Sequence, residues 1–230
     1  MSGAVRGGAV GPRGPGPGGP RVRLDAAALA VAATAGGCAS WDEVRGAAAG
    51  CVACPELAAT RNTVVVGDLP AGGLRPVRLV LVGEAPGADE DRVGRPFVGR
   101  AGRLLDELLA EVGLARAEIA VLNVLQCRPP GNRAPKPAEV ARCRGWLVRK
   151  LDLLDPGLVC ALGRTAAAWF LGSSVRLAAV RGRVHEVDGR RVVATYHPSA
   201  AIRFGPAGAP LAGLRADLAL VAGVLDPAAG

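Results

Sequence analysis

The sequence has few aromatic side chains: three Phe, three Trp and one Tyr amount to 3% of 230 residues. A chain of this length forms one core of roughly 200 residues. Half of its residues are hydrophobic by type, but much of that half is Ala, so Leu and Val packed against small side chains must carry the apolar area. Lysine is confined to Lys136 and Lys150, histidine to His185 and His197. No run approaches the eighteen or so apolar residues of a membrane span. The stretch from Ala26 to Ala35 follows Arg21 and Arg23 like a weak export signal, but Asp25 interrupts it, so the expected location is the cytoplasm. Acidic residues are absent before Asp25, whereas Arg6, Arg13, Arg21 and Arg23 supply half of the net charge of +8, leaving about +4 for the rest. That mild excess is weak support for a nucleic-acid partner. The 33 Gly and 18 Pro follow no G-X-Y period, which excludes collagen.

Residues 1–23 read as a disordered Gly/Pro/Arg-rich arm, because nothing in them can bury a face. Residues 24–230 read as one domain. Helical text from Leu24 ends at Gly36-Gly37, and a second helix is expected at Trp41 to Ala49. Buried strands are expected at Val77 to Gly83, Ile119 to Leu125 and Leu158 to Gly163, with helices at Gly102 to Val112, Pro137 to Leu154, Arg164 to Leu171 and Leu211 to Leu225. A hairpin turns at Asp188-Gly189, and its return strand, Val192 to Tyr196, leads to His197. Alternating strands and helices imply right-handed crossovers and a three-layer α/β/α sandwich around a mainly parallel, four-stranded sheet. Ligands in such sheets sit beyond the carboxyl ends of the strands. That rule brings Gly83 to Gly87, Asn123 with the loop after it, and His197 to Ser199 to one rim.

Of six cysteines, Cys160 lies within an expected buried strand and reads as a small core residue, and Cys38 sits in a Gly-flanked turn. The other four, Cys51, Cys54, Cys127 and Cys143, can meet through the folding of the chain. A zinc site and a 4Fe-4S cluster both use four thiolates, and spacing alone does not choose between them.

Three motifs add a resemblance: GEAPGADEDRVGRPFVGRAGRLLDELL (Gly83 to Leu109), NVLQCRPPGNRAPKPAEVARC (Asn123 to Cys143) and YHPSAAIR (Tyr196 to Arg203). In this order they closely resemble the family 4, cluster-containing uracil-DNA glycosylases. The resemblance runs from about Cys51 to the last helix. It implies a uracil-DNA glycosylase-like fold, a 4Fe-4S cluster on Cys51, Cys54, Cys127 and Cys143, and a monomeric enzyme whose partner is uracil-containing DNA, double- or single-stranded. A neighbouring family traps its substrate through a histidine in the loop that corresponds to Cys127 to Lys136, and no histidine stands there.

The resemblance also implies roles. Asn123 would read uracil, since an amide offers both the acceptor for N3-H and the donor for O4. Phe97 would give the base a flat apolar face, and His197 would donate to O2 as charge develops there. Another family orients its water with an Asp where this chain has Ala85, which leaves Asn132 for that task, with Glu84 a further catalytic candidate. Gly87 and Glu90 would shape the base pocket, Glu90 near C5, while Asp89 and Asp91 read as a solvated turn. DNA would meet Arg128, Arg133, Arg203 and the turn Ser199 to Ala201, through phosphates and a wedge into the base stack at Ala201, where many relatives carry a larger apolar side chain. The expected reaction is monofunctional hydrolysis of the N-glycosidic bond, with no lysine placed for strand cleavage. The alternatives are an iron-sulfur DNA-binding or redox-sensing protein that has lost the chemistry, and a glycosylase for another deaminated base.

Overall fold

A computed structural model describes residues 24–73 and 77–226. The arm expected at residues 1–23 lies outside them. Asp25 accepts from the Ala28 N–H at 2.8 Å and starts α1 (Ala26–Gly37), and the Ser40 hydroxyl caps α2 (Trp41–Ala49), both by satisfying a first-turn donor. The short α3 (Pro55–Thr60) follows Cys54. Next come β1 (Leu79–Gly83), α4 (Ala88–Val93), α5 (Arg100–Glu111), β2 (Ala120–Asn123), α6 (Pro137–Leu154), β3 (Leu158–Leu162) and α7 (Arg164–Leu171). A short α8 (Leu177–Val180), the hairpin of β4 (Val184–Val187) and β5 (Arg190–Thr195), α9 (Pro198–Phe204) and α10 (Ala209–Leu225) complete the described chain.

The sheet has five strands rather than the four expected, in the order β2-β1-β3-β5-β4. The extra member is β4, which pairs antiparallel with β5 and forms a partly exposed edge; all other pairs are parallel. Its turn falls at Asp188-Gly189, both with positive φ (51° and 73°), as a two-residue hairpin turn requires. Strands β1, β2 and β3 are buried along their whole length, so their residues divide between two faces. Val80, Val82, Leu122 and Val159 meet Val31, Trp41, Leu147 and Phe170 from α1, α2, α6 and α7. Leu79, Leu81, Val121 and Cys160 meet Leu105 and Leu109 of α5 and Leu214 and Leu218 of α10. Helices thus cover both sides of the sheet, which is the expected sandwich. From β1 the chain passes through α5 on one face to β2, then through α6 on the other face back across β1 to β3. This reversal opens a crevice at the carboxyl ends of β1 and β3.

Helices α1 and α6 cross at Gly145, where an added Cβ would come within 2.7 Å of the Ala32 Cα and 2.9 Å of its backbone nitrogen. Backbone cannot give way there as a flexible side chain can. Gly145→Val is therefore expected to lower the unfolding free energy by about 1–3 kcal/mol, the usual range for overpacking a tight contact, read from urea unfolding against the parent protein.

Candidate active site and cysteine cavity

A cleft of about 230 Å³ opens at the carboxyl ends of the strands, lined by Glu84, Ala85, Gly87, Glu90, Phe97, Asn123, Asn132, Arg133, His197 and Ser199. These are ten of the residues that the sequence reading placed there, brought together from segments more than a hundred positions apart. Pro86, Ala101 and Pro129 also line it. Pro86 and Pro129 lie inside the quoted motifs, whereas Ala101 carries no sequence signal beyond its place at the start of α5.

Glu90 closes the first wall. Its Oε2 accepts from the Gly87 N–H at 3.0 Å, and its Oε1 accepts from the N–H groups of Val98 and Gly99, both at 2.9 Å. The carboxylate therefore joins the two ends of the loop carrying Phe97, a residue held at φ 54°. An aromatic residue in that region is strained and persists only where its surroundings fix it. The Phe97 ring lies 5.5 Å from the His197 ring, centroid to centroid, with a 30° tilt between planes. At the end of β1, an added Cβ on Gly83 would stand 2.4 Å from Asn123 Oδ1 and 2.7 Å from the Phe97 ring. Only glycine leaves room for both groups.

Asn123 is 3% exposed, and its Oδ1 has no hydrogen-bond partner. A buried acceptor without a donor is uncommon in a folded protein. His197 caps α9, where the Ser199 backbone N–H donates to Nδ1 at 3.1 Å and the Ser199 hydroxyl lies 2.8 Å from the same nitrogen. A backbone N–H can only donate, so Nδ1 is an acceptor and the neutral ring carries its proton on Nε2. Dense packing around the ring pushes its pKa down to about 4, against a smaller opposing effect of the Glu90 charge. The Glu84 carboxylate accepts from the Thr165 hydroxyl. Asn132, at φ 56°, holds its Oδ1 2.7 Å from the donating Arg128 Nε.

Several expectations need correction. Ala201 is 3% exposed because α9 packs against α5 and α10, so it cannot enter a base stack. The residues expected to form a turn, Ser199 to Ala201, belong to α9. Arg133 directs its Nη atoms to Glu139 at 2.6 and 2.9 Å and to Glu56 at 3.1 Å, so its donors are engaged within the protein. Asp91 is not solvated; it is fully buried and accepts from the backbone N–H groups of Asn62 and Thr63 and from the Asn62 side-chain amide. Arg128 and Arg203, expected at DNA phosphates and not in the pocket, stand outside the cleft lining, Arg203 on the exposed side of α9, and nothing in the structure contradicts that expectation.

The four cysteines line a second, smaller cavity with Leu57, Val64, Leu125 and Trp146. All four are free thiols. Among the described residues no group of three or more His, Cys, Asp or Glu side chains is arranged to hold a metal ion. Arg61 Nη1 donates to Cys127 Sγ at 3.3 Å, and Gln126 Nε2 faces Cys143 Sγ at 3.9 Å. Burial, followed by the charge of Cys143, pushes the thiol of Cys54 up to about 11 and that of Cys127 up to about 12. Mutual repulsion of this kind is what a cationic centre would relieve. Cys160 is buried in the core, as expected.

The profile of the Uracil DNA glycosylase superfamily matches residues 70–218, the segment that carries every residue of the cleft. The chain is 45% identical over 155 residues to the type-4 uracil-DNA glycosylase of Thermotoga maritima, an alignment spanning 66% of this chain and 78% of that protein. With the type-4 uracil-DNA glycosylase of Archaeoglobus fulgidus it shares 44% over 142 residues, 58% of this chain and 71% of that one. A type-5 uracil-DNA glycosylase from Pyrobaculum aerophilum is 32% identical over 177 residues, 65% of this chain and 78% of that one. The chain belongs to the uracil DNA glycosylase superfamily. Within it, the chain stands with the type-4 enzymes.

The ionisation of His197 generates a prediction. Its folded pKa lies below the unfolded value near 6.5, so the unfolded chain binds more protons between pH 6.5 and about 4. Stability from this group is complete above pH 6.5 and is lost as pH falls through that window. Urea unfolding of the parent should weaken across it more steeply than that of His197→Gln, and identical slopes would contradict the assignment.

Proposed function

We propose that this protein removes uracil from DNA by hydrolysing its N-glycosidic bond, leaving an abasic site that starts base excision repair. The observation that carries the reading is Asn123, a residue of the cleft lining whose side-chain Oδ1 is buried without a hydrogen-bond partner. A uracil drawn out of the stack presents N3-H to that oxygen and O4 to the amide Nδ2. Cytosine presents the reverse pattern and would leave both groups unpaired. Phe97 supplies the apolar face against which the base stacks, and Glu90 keeps that wall in place.

As the C1′–N1 bond breaks, its electron pair leaves with the base and spreads onto O2. There the Nε2–H of neutral His197 donates a hydrogen bond that strengthens as the charge grows. An imidazole that stays neutral at pH 7 suits this task, since its Nδ1 remains tied to Ser199. The sugar becomes cationic, and the Glu84 carboxylate, anchored by Thr165, offsets that charge. The Asn132 Oδ1 has a second lone pair beyond the one given to Arg128, and it orients the water that adds to C1′ and releases a proton to solvent. Arg128, Ser199 and Arg203 are the phosphate contacts we retain; Arg133 and Ala201 are not among them.

For the cysteine cavity we infer a 4Fe-4S cluster held by Cys51, Cys54, Cys127 and Cys143. Four cysteines from separate segments line this one cavity, four thiolates are the ligand set of such a cluster, and the choice of a cluster over zinc follows the family resemblance rather than the geometry. Bound there, such a cluster would supply covalent cross-links between the end of α2, the start of α3, the loop after β2, and α6.

Removal of a preorganised donor to a developing anion typically costs about 100- to 1,000-fold in rate. His197→Ala and Asn123→Ala should each reduce uracil release from a uracil-containing oligonucleotide by that order, compared at a temperature where circular dichroism shows both variants folded. Undiminished release in both would refute the site, and parent protein that binds the oligonucleotide without releasing base would favour the DNA-binding alternative.

A further inference from the structure

One charged group is explained neither by the cleft nor by the sheet. Lys150, on α6, is 0% exposed. A buried ammonium is strongly destabilising unless an anion compensates it. Its Nζ donates to the Val66 carbonyl at 2.7 Å and to Gln126 Oε1 at 3.2 Å, both neutral acceptors. Burial pushes its pKa down to about 8, opposed by the nearby Cys143 and Cys127 sulfurs. With Oε1 turned to the lysine, the Gln126 amide directs Nε2 toward Cys143 Sγ at 3.9 Å. Lysine, amide and sulfur therefore form one line from the interior of α6 to the cysteine cavity.

We propose that Lys150 is the buried counter-ion of the cysteine-bound cluster, with Gln126 as the spacer that passes its influence to the Cys143 sulfur. The proposal rests on the 4Fe-4S reading given above. A cluster bound by four thiolates is anionic as a whole, and a fixed positive charge beside it stabilises both the ligated thiolates and the more reduced state. Arg61 and Arg142 also border the cavity, but both reach solvent, which screens them. Lys150 acts through the protein interior, which screens its charge less than solvent does. Net charge and hydrogen bonds to the sulfurs are among the main determinants of cluster potential.

The test uses anaerobically purified full-length protein as parent, Lys150→Met and Lys150→Gln. Three quantities are read: iron and sulfide content, the reduction potential from the visible absorbance, and the rate of iron loss to a chelator. Both variants should have a more negative potential than the parent and lose iron roughly 10- to 100-fold faster, the usual cost of removing an outer partner of a metal centre. If Lys150→Met does not fold, Lys150→Gln, which keeps a polar donor without the charge, gives the same comparison. A lysine that merely packs α6 would change the urea midpoint and leave the potential where it was; that result overturns the counter-ion role. A folded parent without iron and sulfide overturns the cluster reading together with this one, and is distinguished from it by the parent's composition alone.

Discussion

The cleft depends on one carboxylate. Glu90 collects three backbone N–H groups, one from Gly87 and two from Val98 and Gly99, and so closes a loop that would otherwise have no reason to hold Phe97 in a left-handed conformation. The strain at Phe97 places its ring against His197, and Gly83 leaves the space that this arrangement needs. Without Glu90, three backbone donors would lose their acceptor and the Phe97 wall of the cleft would be free to relax. Its importance is mechanical before it is chemical, which is consistent with both of its oxygens being occupied by backbone.

The other two walls are set by the strand ends. Asn123 is the last residue of β2, His197 follows β5, and each is fixed by the register of a sheet buried on both faces. The chemistry proposed for them follows from what their surroundings withhold. Asn123 Oδ1 receives no donor from the protein, and His197 receives donors only at Nδ1. Each therefore presents one defined hydrogen-bonding function to the cleft, and burial keeps the imidazole from adding a charge.

Much of this was legible in the sequence. The bounds of α2, α6 and α7 and the turn of the hairpin could be read to the residue, because Pro137, Gly163 and Asp188-Gly189 mark them with strong local preferences. The short helices α3, α4 and α9 have too few turns to establish a period, so Ser199 to Ala201 read as a turn. The burial of Ala201 comes from the packing of α9 on α5 and α10, and that of Asp91 from Asn62 and Thr63, which lie far away in sequence. Tyr196 sits within a motif, yet its ring packs under Arg181 and against Gly213 rather than in the cleft. Motif membership indicated proximity to the site; only tertiary packing decided direction. Lys150 gave no signal at all, since a lysine on a long helix ordinarily points to solvent.

The unpartnered oxygen of Asn123 has a consequence for selection among bases. A buried acceptor without a donor costs about 1–3 kcal/mol, and on the reading proposed for Asn123 a base that brings an N–H to it would remove that cost. On that reading, discrimination would rest as much on the penalty a wrong base leaves standing as on the contacts a right one makes, which suits an enzyme that must pass over long stretches of ordinary DNA.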